Sequence, residues 1–171
     1  GCLDIPSKGK IYLESHDISK LSESDLAQIR GRKIGFIFQQ FNLLPKLTAF
    51  ENVELPLIYG GISGEPRKER AWEALEMVDL ADRADHFPAQ LSGGEQQRVA
   101  VARALIGKPK IIIADEPTSA LDSSAKNRFM DLLFRQVDVQ RSTLVFVSHD
   151  RSLSSGFKTV YDFAELNRAS K

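Results

Sequence analysis

Residues 110–114 (KIIIA) and 143–147 (TLVFV) are two short runs that are apolar at successive positions, without the polar-apolar alternation of a half-exposed strand. A strand can carry that pattern when both of its faces are covered, as in a parallel sheet flanked by helices. The segment between them, from about 123 to 137, reads as a helix. Strand, helix, strand in this order is the repeating unit of a parallel α/β sheet. The expected fold class is therefore α/β with a parallel sheet core, and 171 residues suffice for one such domain.

The first half adds shorter elements. Residues 10–14 (KIYLE) and 33–39 (KIGFIFQ) read as strands. Thr48, with Glu51 three residues on, forms a capping-box pattern for a short helix that Pro56 and Gly60–Gly61 end. Pro66 opens a clearer helix, whose Ala71, Ala74, Leu75 and Val78 fall on one face. Residues 95–106 (EQQRVAVARALI) form another helix, stopped by Gly107 with Pro109 just beyond. There is no repeat and no low-complexity tract.

Composition sets the class of partner. Apolar residues are 42% and charged residues 27% of the chain, as in a soluble globular protein. Lys plus Arg equals Asp plus Glu, 23 each, so no net field draws the chain to nucleic acid or anionic lipid. The one cysteine, Cys2, cannot form an internal disulfide, which fits a reducing cytosol. No apolar run approaches the ~20 residues that cross a bilayer, and no leader pattern is present. Membrane association is thus expected only through a partner. The first residue is Gly rather than Met, and we expect the chain not to start where its gene does.

Three motifs carry chemistry. Residues 91–98 read LSGGEQQR. Ser92 and Glu95 can close a capping box, while Gly93 and Gly94 bare the backbone N–H groups of a helix N-terminus, a ready anion site. A plain capped helix would explain Ser92 and Glu95 but not two first-turn glycines, which cost roughly 1 kcal/mol each. Asp115 and Glu116 stand at the carboxyl end of the 110–114 strand, where open α/β sheets bind ligands. Asp115 can hold Mg²⁺ through its water shell, and Glu116 can deprotonate or orient a water for attack on phosphorus. His149 ends the 143–147 strand and reaches the same crevice, and Gln39 ends the 33–38 strand in the same way. The plainer reading of each is an ordinary strand-end residue.

Taken in order, LSGGEQQR, four apolar residues with Asp-Glu, SALD at 119–122, and a histidine after an apolar strand resemble the ATP-binding-cassette (ABC) family of transporter ATPases, over nearly the whole chain. Residues 36–53 (FIFQQFNLLPKLTAFENV) and 86–105 (HFPAQLSGGEQQRVAVARAL) resemble most closely the branch that releases lipoproteins, exports macrolides or serves cell-division permeases. The resemblance implies a P-loop NTPase-like ABC ATPase fold and an ATPase that couples ATP and Mg²⁺ to a membrane permease. It implies that Gln39 is the Q-loop glutamine, which ligates Mg²⁺ and senses the γ-phosphate. Ser92, Gly93 and Gly94, with Glu95 and Gln96 following, resemble the signature loop, which grips ATP held by the opposite subunit. Asp115 corresponds to the Walker B aspartate, Glu116 to the catalytic base, Asp122 to the D-loop aspartate and His149 to the switch histidine. Residues from about 41 to 90 resemble the helical subdomain, where Leu43, Leu44 and Phe50 are candidate permease contacts. The implied partners are a transmembrane permease and a second ATPase subunit, with no nucleic acid. The implied place is the cytoplasmic face of the cell membrane.

The chain departs from the family in two respects. No G-x-x-x-x-G-K-[ST] phosphate loop occurs, and residues 1–9 (GCLDIPSKG) resemble the stretch after that loop's helix. We therefore expect an amino-terminally truncated sequence, lacking the first strand and phosphate loop, inactive in cis and with an exposed apolar sheet edge. A non-hydrolysing partner that serves an intact subunit's ATP in trans is the alternative. It leaves the retention of Glu116 and His149 without a reason. Repair relatives carry a long coiled coil between the motif halves and translation relatives carry two cassettes; neither pattern occurs here. Residues 159–171 also lack the Asp-Gly hairpin with which family members often finish.

Overall fold

The computed structural model describes residues 2–4, 6–119 and 121–166. Gly1, Ile5, Ala120 of the SALD run and residues 167–171 of the tail lie outside the described residues. The chain opens with a small antiparallel pair, β1 (Tyr12–Leu13) and β2 (His16–Asp17), followed by helix α1 (Glu23–Lys33) and strand β3 (Ile34–Phe38). Helices α2 (Ala49–Tyr59), α3 (Glu65–Glu76) and α4 (Gly93–Leu105) come next. Strand β4 (Ile111–Asp115), helix α5 (Ser123–Gln140), strand β5 (Thr143–Val147) and a four-residue helix α6 (Phe163–Leu166) complete it.

The expected parallel sheet is present. Its order is β3-β4-β5, both pairs parallel, with Phe36 opposite Ile113 and Ile113 opposite Val145. One face carries Ile37, Ile112 and Ala114, all fully buried, in one apolar cluster with Val99, Ala102 and Leu105 of α4 and Phe129 and Leu133 of α5. Gly35 lets α4 approach β3. A Cβ built there would stand 2.3 Å from the Ala104 carbonyl oxygen and 3.1 Å from Pro109 Cγ.

The other face is more open than the sequence led us to expect. The rings of Phe36 and Phe38 stack at 5.4 Å, but Val145 and Val147 are 46% and 49% exposed. A run that is apolar on both sides is covered here on one side only. At the β3 end, α1 packs Leu26 with Ile18 and Cys2 in a second small cluster that reaches Ile34.

Several boundaries differ from the sequence reading. The 10–14 strand shrinks to Tyr12–Leu13. Pro56 lies inside α2 and does not end it; Gly60 caps the helix instead. The Thr48–Glu51 capping box forms, with Thr48 N–H donating to Glu51 Oε2 at 2.8 Å and Glu51 N–H to Thr48 Oγ1 at 3.2 Å. Pro66 sits in the first turn of α3. The unexpected α1 is mostly polar, with only Leu26 buried, so its apolar period is too weak to read. Its start is marked by Ser22, whose hydroxyl accepts from Asp25 N–H.

Replacing Gly35 with Ala forces the Ala104 carbonyl and α4 away from the sheet. The expected loss is about 1–3 kcal/mol of unfolding free energy, read as a lower urea midpoint for G35A than for wild type.

Candidate active site

The parallel register brings the strand ends together. Phe38, Asp115 and Val147 are neighbours across the sheet, so the next residues, Gln39, Glu116 and Ser148, leave it at one edge. Asp115 ends β4 and is exposed, as is Gln39 in the turn after β3.

Glu116 and His149, 33 residues apart, are in contact. The His149 backbone N–H donates to Glu116 Oε1 at 2.8 Å, and His149 Nε2 lies 3.0 Å from the same oxygen. The Glu116 side chain is 11% exposed and that of His149 is 92% exposed. The carboxylate is therefore tucked under the loop while the imidazole stands open to solvent. Glu116 adopts a left-handed backbone, φ 46°, which costs a non-glycine residue about 1 kcal/mol. The turn is held by Glu116 N–H on the Val147 carbonyl at 3.0 Å and by the Ser119 hydroxyl on the Glu116 carbonyl at 3.0 Å. Among the described residues, Glu116 Oε2 accepts no hydrogen bond.

The LSGGEQQR segment forms the start of α4. Ser92 caps it: Glu95 N–H donates to Ser92 Oγ at 3.3 Å, and Ser92 N–H and Oγ both donate to Glu95 Oε2 at 2.7 Å. The Ser92 groups, aided by Arg83 at 3.4 Å, hold the Glu95 carboxyl below its usual range. Gln96 Nε2 donates to the Leu91 carbonyl at 3.1 Å. Ser92 and Gly93 are exposed and Gly94 half-exposed. Neither glycine has positive φ, and a Cβ at either would meet nothing within 4 Å. The fold of this chain therefore does not itself require glycine at 93 or 94. Among the described residues, no hydrogen bond or ion pair joins Ser92, Gly93 or Gly94 to Asp115, Glu116 or His149. Asp122 caps α5, accepting from Ala125 N–H at 2.8 Å.

Four contributors escaped the sequence reading. Gln97, buried in α4, donates from Nε2 to the Pro117 carbonyl at 2.7 Å and so ties that helix to the Asp115–Glu116 loop. Arg103, in the last turn of α4, donates to the carbonyls of Phe41 and Asn42 at 2.6 and 2.7 Å, anchoring the loop after Gln39. Both loop residues have positive φ, and burial pulls the Arg103 pKa down. Asn52, fully buried, bonds Leu44, Leu47 and Thr48 backbone. Lys126 pairs with Asp150. Gln97 and Asn52 left one signal, a polar residue at a buried helical position among apolar neighbours.

The donors fit a lightly held divalent cation. Asp115 is an exposed strand-end carboxylate, and no group of three His, Cys, Asp or Glu side chains able to hold a metal occurs among the described residues. Mg²⁺ is commonly bound by one or two carboxylates plus water and substrate phosphates, which this edge can offer and a closed cage could not. No helix among the described residues is long and apolar enough to cross a membrane.

Asp150 permits a pH test. Lys126 first, then the Ser152 hydroxyl and N–H, lower its carboxyl from 3.8 to about 2. A depressed folded-state pKa gives stabilisation that is present above the unfolded value and lost as pH falls through the folded one. Denaturation midpoints of wild type and D150N should differ at neutral pH, wild type higher, and converge between about pH 4 and pH 2.

Comparison with known proteins supplies the context. The family model described as ABC transporter matches residues 3–119. An uncharacterized ABC transporter ATP-binding protein of Thermotoga maritima is 54% identical over 150 residues, covering 88% of this chain and 64% of the relative. The lipoprotein-releasing system ATP-binding protein LolD of Bdellovibrio bacteriovorus is 46% identical over 161 residues, covering 94% of this chain and 73% of its own length. Among solved structures, the dimeric post-hydrolysis state of the ATP-binding cassette MJ0796 bound to ADP and Pi, from Methanocaldococcus jannaschii, superposes with a TM-score of 0.78 at 51% identity. That match covers 89% of this chain and 67% of the other. The chain spans 64% and 65% of the length of two of the curated relatives it matches.

Proposed function

This chain belongs to the ABC transporter family, and from that premise we propose that the full-length protein hydrolyses ATP to drive a membrane permease, in export or lipoprotein release. The observation that carries the reading is the Glu116–His149 contact at the carboxyl edge of the sheet. A base and a histidine placed together on adjacent strand ends serve water attack on a terminal phosphate, and a purely architectural subunit has no use for them.

Each group has a definite task in this reading. Glu116 accepts the proton of the attacking water on Oε2 while Oε1 stays bonded to His149. The exposed imidazole of His149 donates to the terminal phosphate and holds the water in line. Asp115 and Gln39 would hold Mg²⁺, which neutralises phosphate charge when bound. Gly93 and Gly94, which no intramolecular contact explains, present bare N–H groups of a helix N-terminus to the γ-phosphate of an ATP carried by a second subunit. Asp122 acts at the same subunit junction. No phosphate loop stands among the 171 residues, so the cradle for the β- and γ-phosphates in cis is assigned to the full-length protein, and the chain by itself should not turn over ATP.

Residues 41–90 serve as the helical subdomain in this proposal. Between α1 and α2 runs a groove of about 800 Å³, with Leu44, Leu55, Pro56 and Tyr59 on one wall and Gln28 and Gly31 on the other. Tyr59 and Leu44 are exposed there, and a short amphipathic segment of the permease fits such a groove. Phe50 packs instead on Trp72, ring centres 5.2 Å apart, and Leu43 packs on the core, so Leu44 is the stronger contact of the three. The location follows: the cytoplasmic face of the membrane, held by the permease.

The test is Mg²⁺-dependent phosphate release by the full-length protein with and without E116Q. Wild type is expected to turn over ATP. Loss of the base should lower kcat by about 10²- to 10⁴-fold with ATP binding retained. A full-length wild type that binds ATP yet releases no phosphate, even with its permease, would overturn the proposal in favour of a non-hydrolysing partner.

A further inference from the structure

The loop that carries His149 is clamped from two sides. On one side Glu116 accepts the His149 backbone N–H at 2.8 Å. On the other, Lys126 Nζ pairs with Asp150 Oδ2, the residue next to the histidine. The remaining oxygen, Asp150 Oδ1, accepts from the Ser152 N–H at 3.0 Å and from the Ser152 hydroxyl at 2.6 Å, while Asp150 N–H donates to Ser148 Oγ at 3.1 Å. The Lys126 and Asp150 side chains are 23% and 32% exposed, so the pair is partly shielded from water and less screened than an open surface bridge.

The place of Lys126 is itself informative. It stands in the first turn of α5, and its N–H donates to the carbonyl of Asp122, the cap residue, at 2.9 Å. A cation there opposes the helix dipole, while the Asp122 carboxylate at the cap, which accepts from Ala125 N–H, complements it. The partner Lys126 reaches lies 24 residues on, beside His149.

We propose that Lys126 is a positioning residue for His149: through Asp150 it ties the first turn of α5, which follows Asp122, to the loop that aims the imidazole at the phosphate crevice. Two anchors on successive residues, His149 and Asp150, fix the direction of the ring, since one anchor would leave the loop free to swing. The pair also couples the cap of α5 to the histidine, so a shift of Asp122 at a subunit junction moves His149 with it. The inference rests on the reading of His149 given above.

The experiment is steady-state ATPase kinetics of the full-length protein bearing K126M, K126R, H149A and the double variant K126M/H149A. K126M is expected to lower kcat about tenfold to a hundredfold, as for a misplaced reacting group, with KM for MgATP unchanged. K126R should retain most of the activity. In the H149A background K126M should lower the residual kcat no further, because a residue that acts only through His149 has nothing left to position. If K126M and H149A effects multiply, or if K126M matches wild type, the proposal is overturned. K126Q replaces K126M in the cycle should the latter not fold. A wild type that releases no phosphate sinks the functional reading and this inference with it, whereas an active wild type with multiplicative variants sinks this inference alone.

Discussion

Strand β4 is hydrogen-bonded on both sides, to β3 and to β5, in a parallel register that leaves no freedom in where the three strands end. Its inward residues Ile112 and Ala114 are fully buried against α4 and α5. A slip of one residue would turn both outward and Ile113 inward, at the full loss of that burial. The register that burial enforces is the one that sets Gln39, Glu116 and Ser148 at a common edge. The chemistry of that edge is thus a by-product of packing: the apolar residues decide the register, and the register decides which polar residues meet.

The same dependence explains which features the sequence disclosed. The β5 run at 143–147 and the two capping boxes, at Thr48 and Ser92, were legible because each is a local pattern with a local physical cause. Glu116 and His149 were legible as separate strand ends, and the parallel sheet implied that they share a crevice. Their direct contact depends on a left-handed turn at Glu116 that no residue type there announces. Helix α1 went unread because its residues are mostly polar and only Leu26 is buried, so tertiary context rather than periodicity holds it. Pro56 misled for a related reason. A proline's missing donor is expected to break a helix, yet α2 continues for three more residues past it, with Gly60 N–H bonded to the Pro56 carbonyl at 2.9 Å.

Long-range polar tethers were the least legible class. Lys126–Asp150, Gln97–Pro117 and Arg103 with Phe41 and Asn42 join residues 20 to 62 positions apart. Nothing in a linear spacing marks them. What they share is that each ends on a loop carrying a candidate site residue: Gln97 and Arg103 satisfy bare loop carbonyls that a regular ladder would otherwise pair, and Lys126 holds the loop through the Asp150 side chain.

Helix α4 gathers three of these loops. Its cap is the Ser92–Gly94 turn, Gln97 holds the loop after Asp115 and Glu116, and Arg103 holds the loop after Gln39. From Ser92 to Arg103 the helix backbone is a single hydrogen-bonded rod, packed on the buried face of β3 at Gly35. A loop tethered to such a rod cannot move alone without breaking a bond made by a buried or half-buried donor, at about 1–3 kcal/mol for each group left unsatisfied. If it moves with the rod, those bonds are carried along intact. Helix α4 therefore links the Ser92–Gly94 turn to the loops after Gln39 and Glu116 through one rod, a connection that pairwise contacts between those residues do not provide.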